Sequence, residues 1–474
     1  MYTFSSKLKT FSFVLIALGV LGVGYSFFTA PKTIEDVEKI LAAEEAHGHG
    51  DHGDAHHEAA NPHGEDAHGH HADKHDIHKE VSTSHTGRGD GHQAAGHDAH
   101  AEHDEHHEHL EHVLHQLQNK PWSALYVGAL FFMLISLGAL AFYAIQNAAQ
   151  AGWSPVLFRV MEGISSYLLP GAIIVFLILV AGVMDWHHIF IWMDESVVAN
   201  DHLLQGKAGY LNGPFFLIRA AIFMGGWILY RQYARKNSLK QDEATDNLYY
   251  KKNFKASAAF LVFFIVTESI MSWDWIMSVD PHWFSTLFGW YVFASFFVSG
   301  ITVIALITLY LKSKGYLEYV NTSHIHDLAK FMFGISIFWT YLWFSQFMLI
   351  WYANIPEEVT YFITRIEDYN LPFFGMVAMN FLFPVLILIN TDFKRLSWII
   401  VMAGIVILCG HYIDFFNMIM PATVGDRWYI GMAEIGSVLL FLGLFILVVF
   451  TALTKAPLLA KRNPLIEESK HFHY

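Results

Sequence analysis

Ten side chains able to exchange protons or make strong hydrogen bonds lie within or at the rims of strongly apolar runs. They are Asp185, His187, His188, Arg219, Glu268, Asp274, Gln346, His411, Asp414 and Glu434. An ionisable group in hydrocarbon costs a few kcal/mol or more, so such groups normally face a bundle interior or a wet cavity. Carboxylates, imidazoles and an amide at this depth suit proton relay. Glu268 and Asp274 share one apolar run and stand about 9 Å apart along a helix axis. Arg219 lies about 9 Å inside the preceding run, so equal depth predicts an Arg219–Glu268 ion pair. The half of the membrane towards the cytoplasm offers hydroxyls, amides and aromatics such as Tyr143, Ser299, Thr302, Thr308 and Asn380. A carboxylate-based path is therefore expected in the outer half alone, through Asp185, Glu268, Asp274, His411, Asp414 and Glu434, with Arg219 tuning Glu268 and Gln346 contributing.

These residues need membrane-crossing helices to hold them. The chain of 474 residues is 54% hydrophobic, with a mean hydropathy of +0.33. Apolar runs fall at about 11–28, 124–145, 168–190, 213–232, 254–275, 287–311, 328–352, 371–391, 395–416 and 430–453. Runs of this length predict an all-α polytopic membrane protein with ten transmembrane helices. The first run lacks a clear small-residue cleavage site and is read as a retained helix rather than a signal peptide. Lys and Arg cluster in the segments that share a side with the N-terminus. The positive-inside rule then predicts both termini in the cytoplasm and residues 31–119 outside.

Twenty-one of the 30 histidines lie in 31–119. The early part, rich in Gly and Ala, is expected to be disordered; about 98–118 has fewer breakers and is expected to be helical, running into Pro121. Clustered imidazoles such as His47, His49, His52, His56 and His57 are candidate metal ligands, although a solvated tether that binds metal only weakly is the favoured reading. The single cysteine, Cys409, excludes a disulfide framework, a cysteine-ligated zinc site and a self-contained iron–sulfur cluster. No pair of histidines at matching depth suggests a membrane haem. A weak repeat links Asp274 and Pro281 to Asp414 and Pro421, each pair seven residues apart, and suggests two four-helix units in the same orientation.

Two stretches carry a resemblance. One is Asp280-Pro281-His282-Trp283-Phe284-Ser285-Thr286-Leu287-Phe288-Gly289-Trp290-Tyr291. The other runs from Asp327-Leu328-Ala329-Lys330-Phe331 to Phe344-Ser345-Gln346-Phe347-Met348-Leu349-Ile350-Trp351-Tyr352-Ala353-Asn354-Ile355-Pro356-Glu357-Glu358. Both resemble the membrane subunits of bacterial alternative complex III, a quinol:electron-acceptor oxidoreductase, in the polysulfide-reductase membrane-subunit (NrfD-like) family. The resemblance covers roughly 120–455. It implies two four-helix bundles, 120–280 and 281–425, flanked by one helix in 1–30 and another in 426–474.

It further implies a bacterial inner-membrane location and a quinol, such as menaquinol, as the substrate of the complex. The implied partners are a homologous membrane subunit, an iron–sulfur protein and a multihaem cytochrome c, which would hold the haem and the clusters; no nucleic acid is implied. The His-rich insertion resembles that of the second, smaller membrane subunit, whose partner carries the better supported quinol site. Asp274, Asp280, His282, Gln346 and Asp414 match the motifs, and His187, Asp280 and His282 are candidate quinone contacts. A second reading is a stand-alone proton-coupled or metal transporter with a His-rich outer loop.

Overall fold

The computed structural model describes residues 1–48 and 97–473. Among these there is no strand, and ten helices are long and apolar enough to cross a membrane. They are α1 (Ser6–Thr29), α2 (His97–Ala148, apolar from Val113), α3 (Pro155–Val183), α4 (Gly213–Gln241), α5 (Leu248–Val279), α6 (Phe288–Ser313), α7 (Thr322–Ala353), α8 (Asn370–Leu388), α9 (Ser397–Val424) and α10 (Met432–Leu453). The chain is an all-α polytopic membrane protein.

Two helices form the centre. In α2 94% and in α6 89% of the most apolar stretch is buried, against 22% in α1. The first ring of helices closes through α2–α3, where Gly171 meets Met133, then α3–α4 and α4–α5. It returns to α2 where the Tyr126 hydroxyl donates to the Trp275 carbonyl at 2.8 Å. The second ring runs α6–α7–α8–α9 and back to α6. The rings meet where α2 crosses α6. A Cβ on Gly300 would lie 2.7 Å from the Ala139 nitrogen, so only glycine permits this approach. Outside the rings, α1 packs along α10.

One end of this ten-helix unit, here the base, gathers both chain termini. The Tyr2 ring stands 5.0 Å from that of Tyr316, and the Asn321 amide donates to the Phe472 carbonyl at 2.6 Å. The other end is the head.

Four features differ from the sequence reading. Residues Ile34–Gly48 form a helix where disorder was expected. Thr33 and Asp36 cap it reciprocally, Asp36 N–H donating to Thr33 Oγ1 at 3.4 Å and Thr33 N–H to Asp36 Oδ2 at 3.3 Å. The rest of the early His-rich segment, 49–96, lies outside the described residues. The helix expected to run into Pro121 continues through it, as one helix from His97 to Ala148; proline removes a single hydrogen bond, and strong helix formers flank it on both sides. Helix α3 begins at Pro155, not 168, through two short 3₁₀ turns, and ends at Val183. Pro421 lies inside α9, whereas Pro281 lies beyond α5, so the two halves of the sequence repeat differ at this point.

Candidate functional site

At the head of the first ring, Asn212 caps α4 by accepting from Phe215 N–H at 3.0 Å, and Pro214 fixes its first turn. Arg219 is thereby held about two turns into the helix. Its Nε donates to Asp274 Oδ2 at 2.6 Å and its Nη1 to the Tyr210 carbonyl at 3.0 Å. The Tyr210 hydroxyl donates to Asp274 Oδ1 at 2.9 Å. The guanidinium also lies 3.9 Å from the Tyr210 ring centre and 4.3 Å from that of Phe215. Arg219 therefore pairs with Asp274, not with Glu268 as depth alone suggested. The reason is angular. Six residues turn a helix by about 600°, which leaves Glu268 and Asp274 about 120° apart around α5. Glu268 is buried, accepts from the Ser269 hydroxyl at 2.8 Å, and has no cationic partner among the described residues.

The second ring holds a larger network. The Tyr291 hydroxyl of α6 donates to Asp414 Oδ1 in a short hydrogen bond, and the Trp339 indole of α7 donates to Oδ2 at 2.8 Å. His411 Nδ1 lies 3.5 Å from Asp414 Oδ2 and 2.9 Å from Ser295 Oγ. Asn380 Nδ2 lies 3.4 Å from the same nitrogen. Asn380 reaches it from a π-helical turn, Ala378–Leu382, a distortion frequent at functional positions. Gly410 makes the room: a Cβ there would stand 2.1 Å from Asn380 Oδ1. Asp414 and His411 are both fully buried. Beside them is a cavity of about 10 Å³, lined among others by Tyr291, Trp343, Gln346, Tyr361, Arg365 and Asn417. That volume holds about one water and no quinone ring. Arg365 donates to the Asn417 carbonyl at 3.0 Å and to the Tyr361 carbonyl at 2.8 Å.

Arg365 follows α7 and is absent from the sequence candidates. It lies on the helix Pro356–Glu367, buried with Tyr361 and Phe362. The signal was the amphipathic spacing of Val359, Phe362 and Ile366, which a loop does not need.

The other sequence candidates lie apart from these two networks. Asp185 is beyond the end of α3, with φ 62°, and its side chain is 79% exposed, outside the span of that helix. His188 sits 3.6 Å from it. His187 is buried, with Nε2 2.9 Å from the Ile178 carbonyl; burial lowers its pKa. His282 Nε2 lies 2.6 Å from Asp201 Oδ2. That contact, with the backbone N–H groups of the helix His202–Lys207, holds the Asp201 carboxyl below its usual range. Lys207 donates to the Pro281 carbonyl at 2.5 Å. Burial lowers the Lys207 pKa, and the charge of Asp280 partly opposes this. Glu434 caps α10, accepting from Gly431 N–H at 2.7 Å. His47 lies in the last turn of the helix Ile34–Gly48, while His49, His52, His56 and His57 lie outside the described residues.

The base half is not free of charge, as the sequence reading held. Glu162 of α3 is buried there and accepts from Arg159 Nη1 at 2.9 Å and, in a short contact, from Arg235 of α4. The Tyr143 hydroxyl lies 3.3 Å from Glu162 Oε1, and Arg159 Nη2 donates to Asp242 Oδ2 at 2.6 Å. This cluster was missed because α3 was started too late, which left Arg159 and Glu162 in a loop. Their i, i+3 spacing on one helix face was the available signal. Between base and head, the Tyr230 and Ser257 hydroxyls stand 2.8 Å apart and the Trp227 indole donates to Thr267 at 3.0 Å.

Compared with known protein families and with curated proteins, the sequence matches none.

Proposed function

We propose that this chain is an integral membrane subunit of a quinol:electron-acceptor oxidoreductase of the alternative complex III type. It anchors the complex in the bilayer and carries protons within the head half. The observation that carries the reading is the Asp414 network: a buried carboxylate held by a phenol, an indole and an imidazole, beside a water-sized cavity with Gln346 and Arg365. No guanidinium pairs with Asp414 among the described residues, so a proton gained or lost there breaks no arginine ion pair. A phenol, a carboxylate and an imidazole in sequence can pass a proton by successive short transfers. Glu268 offers a second such group. The motif resemblance at Asp280–Tyr291 and Phe344–Glu358 supports the respiratory assignment, as do two four-helix rings. Haem and iron–sulfur centres belong in this reading to partner subunits, on the head side of an inner membrane. The size of the cavity favours proton carriage over quinol binding at this point.

The test is quinol:acceptor turnover and proton release by the assembled complex carrying Glu268→Gln or Asp414→Asn. The expected result is reduced proton release per turnover with unchanged haem and iron–sulfur content. Wild-type turnover and release in both variants would leave only an anchor.

A stand-alone transporter is the second reading. The polar groups that run from Glu162 through Tyr230 and Thr267 to Asp274 favour it, because they reach both halves of the first ring. Purification in mild detergent separates the two: co-purification with haem and iron–sulfur proteins supports the respiratory reading, and a lone chain supports transport.

A further inference from the structure

At the base, α3, α4 and α10 enclose a cavity of about 570 Å³. Arg231 and Arg235 of α4, Thr451 of α10, Lys455 just beyond its end and Ser166 of α3 line it; the hydroxyls donate to the backbone, Thr451 to the Leu447 carbonyl at 2.5 Å and Ser166 to the Gly163 carbonyl at 2.6 Å. Leu239, Leu447 and Val448 form the apolar part of its wall. The volume lies within the range of sites that hold small ligands.

The charge balance points to an anion. Arg159, Arg231, Arg235 and Lys455 face or adjoin the cavity, against two carboxylates, Glu162 and Asp242. Both carboxylates are taken: Arg159 bonds Glu162 and Asp242, and Arg235 bonds Glu162. Arg231 is left with one long contact, from Nη2 to the Glu162 carbonyl at 3.5 Å, and its buried Nε has no hydrogen-bond partner. Lys455 is exposed at the mouth. Two cations and an apolar wall thus converge where helices meet the membrane surface. Guanidinium and ammonium groups bind phosphate oxygens through charge-assisted hydrogen bonds. Basic pockets between transmembrane helices at this level suit acidic lipid headgroups.

We propose that this cavity binds the phosphodiester headgroup of an anionic phospholipid from the leaflet at the base. Arg231 and Lys455 hold the phosphate, and an acyl chain lies along Leu447 and Val448. A free phosphate would satisfy the cations but not the apolar wall. A zwitterionic lipid would carry its own cation into a site that already has an excess. The site is separate from the proton-carrying network at the head.

The test uses the full chain, purified in mild detergent and delipidated. Its thermal unfolding midpoint is titrated in maltoside micelles with phosphatidylglycerol, phosphatidylcholine or inorganic phosphate, and native mass spectrometry counts retained lipid. Phosphatidylglycerol is expected to be retained and to raise the midpoint, whereas phosphate and phosphatidylcholine do not. In the double variant Arg231→Gln, Lys455→Gln, apparent affinity for phosphatidylglycerol should fall about 30-fold, the ratio for two basic side chains at an anionic surface. Lys236→Gln, an exposed cation of α4 outside this cavity, should titrate like wild type. Equal effects of phosphatidylglycerol and phosphatidylcholine, or of phosphate, would overturn the proposal, as would wild-type affinity in the double variant. The wild-type lipid comparison decides even where the double variant does not fold.

Discussion

Asp274 and Glu268 share a helix and differ in what holds them. Asp274 accepts from Arg219 and Tyr210, while Glu268, among the described residues, accepts from Ser269 alone. Removing one partner of a buried ion pair strands the other, at a cost of about 3–5 kcal/mol. Asp274→Asn should therefore lower stability by about that amount, because Arg219 keeps its charge without a carboxylate. Glu268→Gln should cost about 1 kcal/mol or less, since the amide oxygen still accepts from Ser269. Chemical unfolding of the two variants in detergent checks this. A larger loss in Glu268→Gln than in Asp274→Asn would restore the pairing that depth alone suggests. The buried charges themselves were visible as ionisable letters in apolar runs. Their partners were not, because pairing depends on the angle around the helix and on side-chain reach, and Tyr210 lies in a loop that no periodicity places.

The helices are set by close approaches that a one-dimensional pattern does not show. Gly300 and Gly334 look alike in sequence, each within a long apolar helix. A Cβ on Gly300 would meet α2 backbone at 2.7 Å, whereas nothing lies within 4 Å of one on Gly334. Gly300→Ala should cost about 1–3 kcal/mol through overpacking of the α2–α6 crossing. Gly334→Ala should be neutral or slightly stabilising, from its better helix propensity. Thermal unfolding midpoints of the two variants make the comparison; equal midpoints would remove the crossing from its central place. The start of α3 belongs to the same scale. Its 3₁₀ turns bring Arg159 and Glu162 into the bundle, and an apolar window beginning at 168 passes over them because they are polar.

For the molecule as a whole, the ten helices put both termini at the base together with Lys312, Lys314, Lys394 and Arg395. The positive-inside rule predicts that the base faces the cytoplasm. In a Cys409→Ser background, Glu357→Cys at the head should react with a membrane-impermeant maleimide from outside intact spheroplasts. Ser313→Cys at the base should react only after permeabilisation. The opposite pattern would invert the orientation. The number of spans, the helical class and the presence of costly buried charge follow from the chain alone, because apolar length and composition are properties of a line of residues. Which carboxylate Arg219 holds, the network around Asp414, the burial of Arg365 and the anionic-lipid cavity at the base arise only when helices pack. Each depends on side chains from segments far apart in sequence, whose relative rotation is set by contacts between helices and not by the helices themselves.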